Sequence, residues 1–135
     1  MGFEQYHEPA GELSAEVRTF ARMCANLTEE AEAIGWYEQR LSLEQDPVAR
    51  SIMENSQVEE YKHFSMQLEF LLRAKPVWRE IARGVLFRDG DIAANASAAE
   101  HAVESGGADG GGARRAGGPD AGASLGIGSL KEGQR

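Results

Sequence analysis

The sequence predicts an all-α protomer: two long antiparallel helices plus a short C-terminal helix, together half of a four-helix bundle that dimerisation completes. Three observations carry this. Apolar residues recur at a spacing of three and four across residues 13–41, two prolines stand where helices start, and no segment alternates with the two-residue period of a strand.

The first helix is marked by Leu13, Val17, Phe20, Cys24, Leu27, Ala31 and Ile34, with Leu41 on register one heptad beyond. One apolar stripe on a helix from about Ser14 to about Arg40 follows, ~40 Å long at 1.5 Å per residue. Asp46-Pro47 reads as an N-cap followed by proline at the first helical position, and Pro76 ends what begins there, so the second helix spans about 47–74. Its apolar positions are Val48, Ile52, Met66, Phe70, Leu71 and Leu72, interrupted by Asn55, Ser56, Glu59, Glu60 and His63. Val77, Trp78, Ile81, Val85 and Leu86 suit a short third helix that ends near Asp89-Gly90. Two long helices bury their stripes poorly by themselves, and a second copy of the chain is the simplest cover.

Of 135 residues, 14 are Lys or Arg and 22 are Asp or Glu, a net charge of -8. A chain so acidic is unsuited to nucleic acid or an anionic membrane and better suited to cations. No apolar run approaches the ~20 residues of a membrane span, and the opening MGFEQYHEPAGE has neither a basic n-region nor an apolar h-region. A single cysteine, Cys24, makes no intrachain disulfide, and a reducing cytoplasm is the expected compartment. Residues 1–100 hold 18 acids and 10 bases, whereas eleven of the 16 glycines follow residue 100. The division predicts a helical half-bundle over 1–100, a flexible Gly-rich linker over 101–123 and a separate terminal segment over 124–135.

Chemistry is expected where the stripes turn polar. Glu60 and His63, at i and i+3, differ by about 60° around a helix and can enter one site, with Glu59 a competing partner for the same histidine. The first helix adds Glu29, Glu30 and Glu32 near its middle. A di-iron carboxylate bundle takes a Glu from each of two helices and a Glu-x-x-His from each of the other two, so one chain supplies half the list and a symmetric dimer all of it. Carboxylate oxygen with imidazole nitrogen suits iron or manganese. Periodicity alone leaves each of Glu29, Glu30 and Glu32 equally readable as part of a solvated face. Trp36 and Tyr37 read as core or interface, Gly35 as room for a close helix approach, His7 and His101 as surface residues outside the helices, and Cys24 as an inert thiol.

EEAEAIGWYEQR at 29–40, DP at 46–47, EEYKH at 59–63, VLFRDGDI at 85–92 and HEP at 7–9 together resemble the encapsulated ferritin family over about residues 7–95. The resemblance implies a ferritin-like four-helix site formed only across a dimer, with such dimers assembling into a ring, expected to be a decamer. It also implies ferroxidase ligands at Glu30, Glu60 and His63, a neighbouring aromatic pair at Trp36 and Tyr37, and metal-guiding carboxylates at Glu29 and Glu32. The chain departs from the pattern at Gly35, Asn55 and Lys62, where an acid, a histidine and an acid are often found.

The terminal SLGIGSLKE at 124–132 closely resembles the cargo-loading peptides that dock enzymes on the inner wall of encapsulin shells. Leu125, Ile127 and Leu130 are small apolar knobs separated by glycine and serine, suited to an extended segment in a shallow groove. The 21 residues of about 102–122 within the Gly-rich linker reach ~25 Å at 5–6 Å × √n.

The expectation is therefore a ferroxidase: two Fe(II) ions held by Glu30, Glu60 and His63 from each of two protomers, with Glu60 the bridging ligand and Tyr37 at the site. Electrons would pass to dioxygen or peroxide, and mineral would collect in a cytoplasmic encapsulin nanocompartment, since an open ring encloses no storage volume. Two readings stand beside it. One is a non-catalytic helical shell adaptor, the other a different di-metal oxidase or peroxide scavenger on the same half-bundle.

Overall fold

The computed structural model describes residues 6–107, which form four helices: α1 (Ala15–Leu43), α2 (Pro47–Ala74), α3 (Pro76–Val85) and α4 (Ile92–Gly106). Among the described residues no strand is present. Ser14 Oγ caps α1 by accepting from Val17 N at 3.2 Å. At the turn, Asp46 Oδ1 accepts from the amides of Val48 and Ala49 at 2.9 and 2.8 Å, directly before Pro47 at the first turn of α2. An aspartate there satisfies two amides that have no partner in the helix, and proline brings the required φ.

Leu41 O accepts from Arg50 Nη1 at 2.6 Å, Ile34 O from Gln57 Nε2 at 3.3 Å, and Glu30 Oε1 from Gln67 Nε2 at 3.0 Å. Numbers fall along α1 as they rise along α2. The two long helices are therefore antiparallel, as expected. At the open end of this hairpin the Lys75 ammonium stands 5.1 Å from the centre of the Phe20 ring, a cation–π contact between the start of α1 and the end of α2.

Lys75 caps α3 without a side-chain bond, and Pro76 is its first residue, so the proline that ends α2 also begins the next helix. Phe87 and Gly90 take positive φ, 58° and 94°, and reverse the chain. Asp91 Oδ1 then accepts from Ala94 N at 2.7 Å and starts α4, a helix the apolar pattern does not announce. It corrects two expectations. Residues 101–106 are helical rather than the beginning of a linker, and His101 lies within α4, exposed and 3.7 Å from Glu104. α4 packs on α3, at a point where a Cβ on Gly84 would stand 2.4 Å from Ala99 Cβ. Gly84 allows that approach.

Among the described residues the buried apolar ones are Ala25, Leu41, Leu71, Leu72 and Ala99, a small core. Much of the α2 stripe stays outside it: Val48 is 67% exposed, Ile52 63% and Met66 64%. Leu71 and Leu72 of that stripe are buried, while the polar side chains Arg50, Gln57 and Gln67 bond across from α2 to α1. Gly35 faces open space within the protomer, and no close helix approach uses it there. None of the described helices is long and apolar enough to cross a membrane.

Candidate metal centre

The α1 and α2 faces meet around a polar cluster at mid-height of the hairpin. Glu30 of α1 and Glu60 and His63 of α2, all half-buried, bring one ligand atom each within 4.8 Å of one another. His63 Nδ1 lies 3.2 Å from Glu60 Oε2 and 3.9 Å from Glu30 Oε2. Among the described residues this is the only such group of histidine, cysteine or acidic side chains.

Glu60 and His63 converge because a three-residue step on a helix keeps two side chains on one side. Glu30 enters from the facing helix, and Gln67 Nε2 donates to its Oε1 at 3.0 Å. The two carboxylates stand against each other. The contact with Glu30 holds Glu60 below the ordinary carboxylate range, with the His63 bond adding to the effect, while the same contact and then burial push Glu30 up.

Donor chemistry and spacing fit a metal ion. Cations with ligand bonds of about 2.0–2.2 Å need donor atoms roughly 3–4 Å apart, and two carboxylates with one imidazole match iron or manganese. The three donors are few for one chain. Nothing else acidic on the described residues joins them.

The remaining expected residues are placed as follows. Glu29 and Glu32 are exposed on α1, outside the cluster. Glu59, the competitor for His63, is exposed and bound by Lys62. Tyr37 is half-buried two turns along α1 from Glu30, and its ring carries the Arg40 guanidinium 5.5 Å from its centre; Trp36 is 52% exposed. Burial pushes the Cys24 thiol up, as an inert thiol requires. The rest of the expected linker, from residue 108, and the expected terminal segment with Leu125, Ile127 and Leu130 lie outside the described residues.

Two glutamines were missed. Gln57 is buried and its Nε2 donates to Ile34 O at 3.3 Å and Glu38 Oε2 at 3.0 Å, pinning the helices beside the cluster. Gln67 could have been found as the residue one turn beyond His63 and two beyond Glu60. A neutral amide simply carries no ligand signal of its own.

A family model described as EncFtn-like matches residues 5–89, more than half of the chain. The chain belongs to the EncFtn-like family. An encapsulated ferritin-like protein of Rhodospirillum rubrum is 38% identical over 125 residues, 93% of this chain and 86% of that one. A ferritin-like protein of Thermotoga maritima is 44% identical over 89 residues, 66% of this chain and 78% of its own. Among solved structures, the crystal structure of protein ne0167 from Nitrosomonas europaea aligns at a TM-score of 0.63 and 35% identity, covering 65% of this chain and 97% of that one. An EncFtn-like family member with this carboxylate–histidine group has an iron-related, ferritin-like function, and Glu30, Glu60 and His63 form a group compatible with iron.

Proposed function

We propose that this chain is a ferroxidase whose di-iron centre is completed by a second copy, and that it works as cargo of an encapsulin shell. The observation that carries the reading is the convergence of Glu30, Glu60 and His63 from two helices in one half-bundle. Two protomers facing each other would bring four carboxylates and two imidazoles together, the donor set of a di-iron bundle.

Fe(II) is the substrate, and when bound it supplies the electrons that dioxygen or a peroxide accepts. The side chains bind, orient and move protons. Glu30 Oε2 and Glu60 Oε2 contribute anionic oxygen, and His63 contributes Nδ1 once its proton is lost or moved to Nε2. Exposed Glu29 and Glu32 would attract cations towards the cluster, while Trp36 and Tyr37 would flank it. The segment 124–132 would be the shell address, through Leu125, Ile127 and Leu130, and the shell would hold the ferric product. The relative named an encapsulated ferritin-like protein supports that part.

The deciding experiment is aerobic Fe(II) oxidation, followed by ferric absorption, in the wild type and in His63→Ala. The variant should lose rapid oxidation at unchanged helical content, because each half-site loses its sole nitrogen donor. Wild-type rates in His63→Ala would overturn the assignment.

A further inference from the structure

Gln67 divides the two oxygens of Glu30. Oε1 accepts from Gln67 Nε2 at 3.0 Å, whereas Oε2 is the oxygen 3.9 Å from His63 Nδ1. The other end of the amide is unusual: Gln67 Oε1 is buried and hydrogen-bonds to no protein donor among the described residues. A residue present only to fill space would be apolar, since burying an unmet acceptor opposes folding. Turning the amide over does not relieve it. The turned oxygen would face a carboxylate oxygen, and the donor that Glu30 now uses would be lost.

We infer that Gln67 is a positioning residue for the metal centre: its Nε2–H holds one Glu30 oxygen so that the other is presented to a cation, and its Oε1 accepts from water within the site. The role rests on the metal-centre reading above. Gln67 suits it because it stands at i+7 from Glu60 and i+4 from His63, on the side of α2 that meets Glu30. A neutral amide orients the carboxylate without compensating its charge, so the cation keeps the full anionic attraction; a lysine or arginine would compete with it.

Co(II) binding to the full-length chain tests the role without turnover. In Gln67→Met, which nearly keeps the volume, Co(II) affinity should fall about ten- to a hundredfold and the visible band of bound Co(II) should change, with the metal-free melting temperature close to wild type. Gln67→Asn, too short to reach Glu30, should behave alike and carries the test if the methionine variant folds poorly. Because Gln67 acts through Glu30, Glu30→Ala and Glu30→Ala/Gln67→Met should bind Co(II) equally. Wild-type affinity and spectrum in Gln67→Met and Gln67→Asn would overturn the inference, as would a loss that recurs in full when Glu30 is already alanine. A wild-type chain that takes up no Co(II) would overturn the metal-centre reading itself, and this role with it.

Discussion

Glu30 and Glu60, on opposite helices of one hairpin, bring carboxylate oxygens within 4.8 Å of each other, and their contact pushes Glu30 up while it holds Glu60 down. Their two ionisations belong to the pair. The arrangement is unfavourable for an empty apo site at neutral pH and favourable for one awaiting a cation, because charge that repels in the absence of metal becomes the attraction that binds it. Stability and function oppose each other at this point of the chain.

Glu30→Gln should separate the two. A carboxyl raised in the fold favours folding below its unfolded value and loses that contribution as pH rises through the raised one, so wild type is penalised at neutral pH. The glutamine mimics the protonated acid and can still accept from Gln67. In chelator, the variant should melt higher than wild type at neutral pH, with the difference vanishing at about pH 4, near the ordinary carboxylate value. Co(II) or Fe(II) uptake should fall by at least about tenfold. A lower melting temperature at neutral pH, measured by circular dichroism, contradicts a Glu30 carboxyl raised by its neighbour.

Iron should promote association. One chain contributes three donors, and Ile52, Met66 and Phe70 of α2 are 63%, 64% and 44% exposed in the protomer. A metal shared between copies stabilises the associated state by mass action, and burial of these side chains adds to it. Native mass spectra recorded with and without Fe(II) should shift from monomer to dimer or larger rings. A protein that begins monomeric and stays so when iron is bound would place the complete site in one chain.

Two glycines should respond to alanine with opposite signs. Gly84→Ala sets a methyl 2.4 Å from Ala99 Cβ and 3.4 Å from its Cα, so α3 and α4 must separate; overpacking of this kind costs about 1–3 kcal/mol. Amide exchange should accelerate in α4 while the α1–α2 site keeps its metal affinity. Gly35→Ala meets nothing within the protomer and should stabilise α1 by about 1 kcal/mol, seen as a higher melting temperature of the monomer. If Gly35→Ala also prevents dimers from forming, the open space at Gly35 is where a second copy sits.

The sequence showed the helix limits well, because caps and prolines are local signals: Asp46-Pro47 starts α2 and Pro76 follows its last turn. Which side of α2 faces α1 was another matter. Periodicity selected Val48, Ile52, Met66, Phe70, Leu71 and Leu72, of which Leu71 and Leu72 are buried; the polar part of the seam, where Gln57 and Gln67 bond across to α1, has no hydrophobic period to detect. α4 was missed for a related reason. Its interior is alanine, too small to draw a stripe, and Asp91 announced it only through its capping bond. At the site, Glu60 and His63 were legible from their spacing. Glu30 could be chosen over Glu29 and Glu32 only by family resemblance, since one turn of helix does not say which carboxylate faces inward.

The tail should be separable from the catalyst. The bundle packs and the cluster forms within residues 6–107, and none of the bonds that set Glu30, Glu60 and His63 in place involves a residue beyond α2. Deletion from Ser124 onward should therefore leave Fe(II) oxidation and iron-driven association at wild-type levels. It should abolish packaging, because Leu125, Ile127 and Leu130 are the residues proposed to meet the shell wall. Replacing the three by serine in the full chain should have the same effect while preserving the length of the tail. Co-expression with shells, followed by sizing and analysis of what co-purifies inside, reads packaging, and the oxidation assay reads the catalyst on the same material. Truncated protein found inside shells would remove the address from this segment, and lost activity in the truncated chain would mean that the tail belongs to the working assembly.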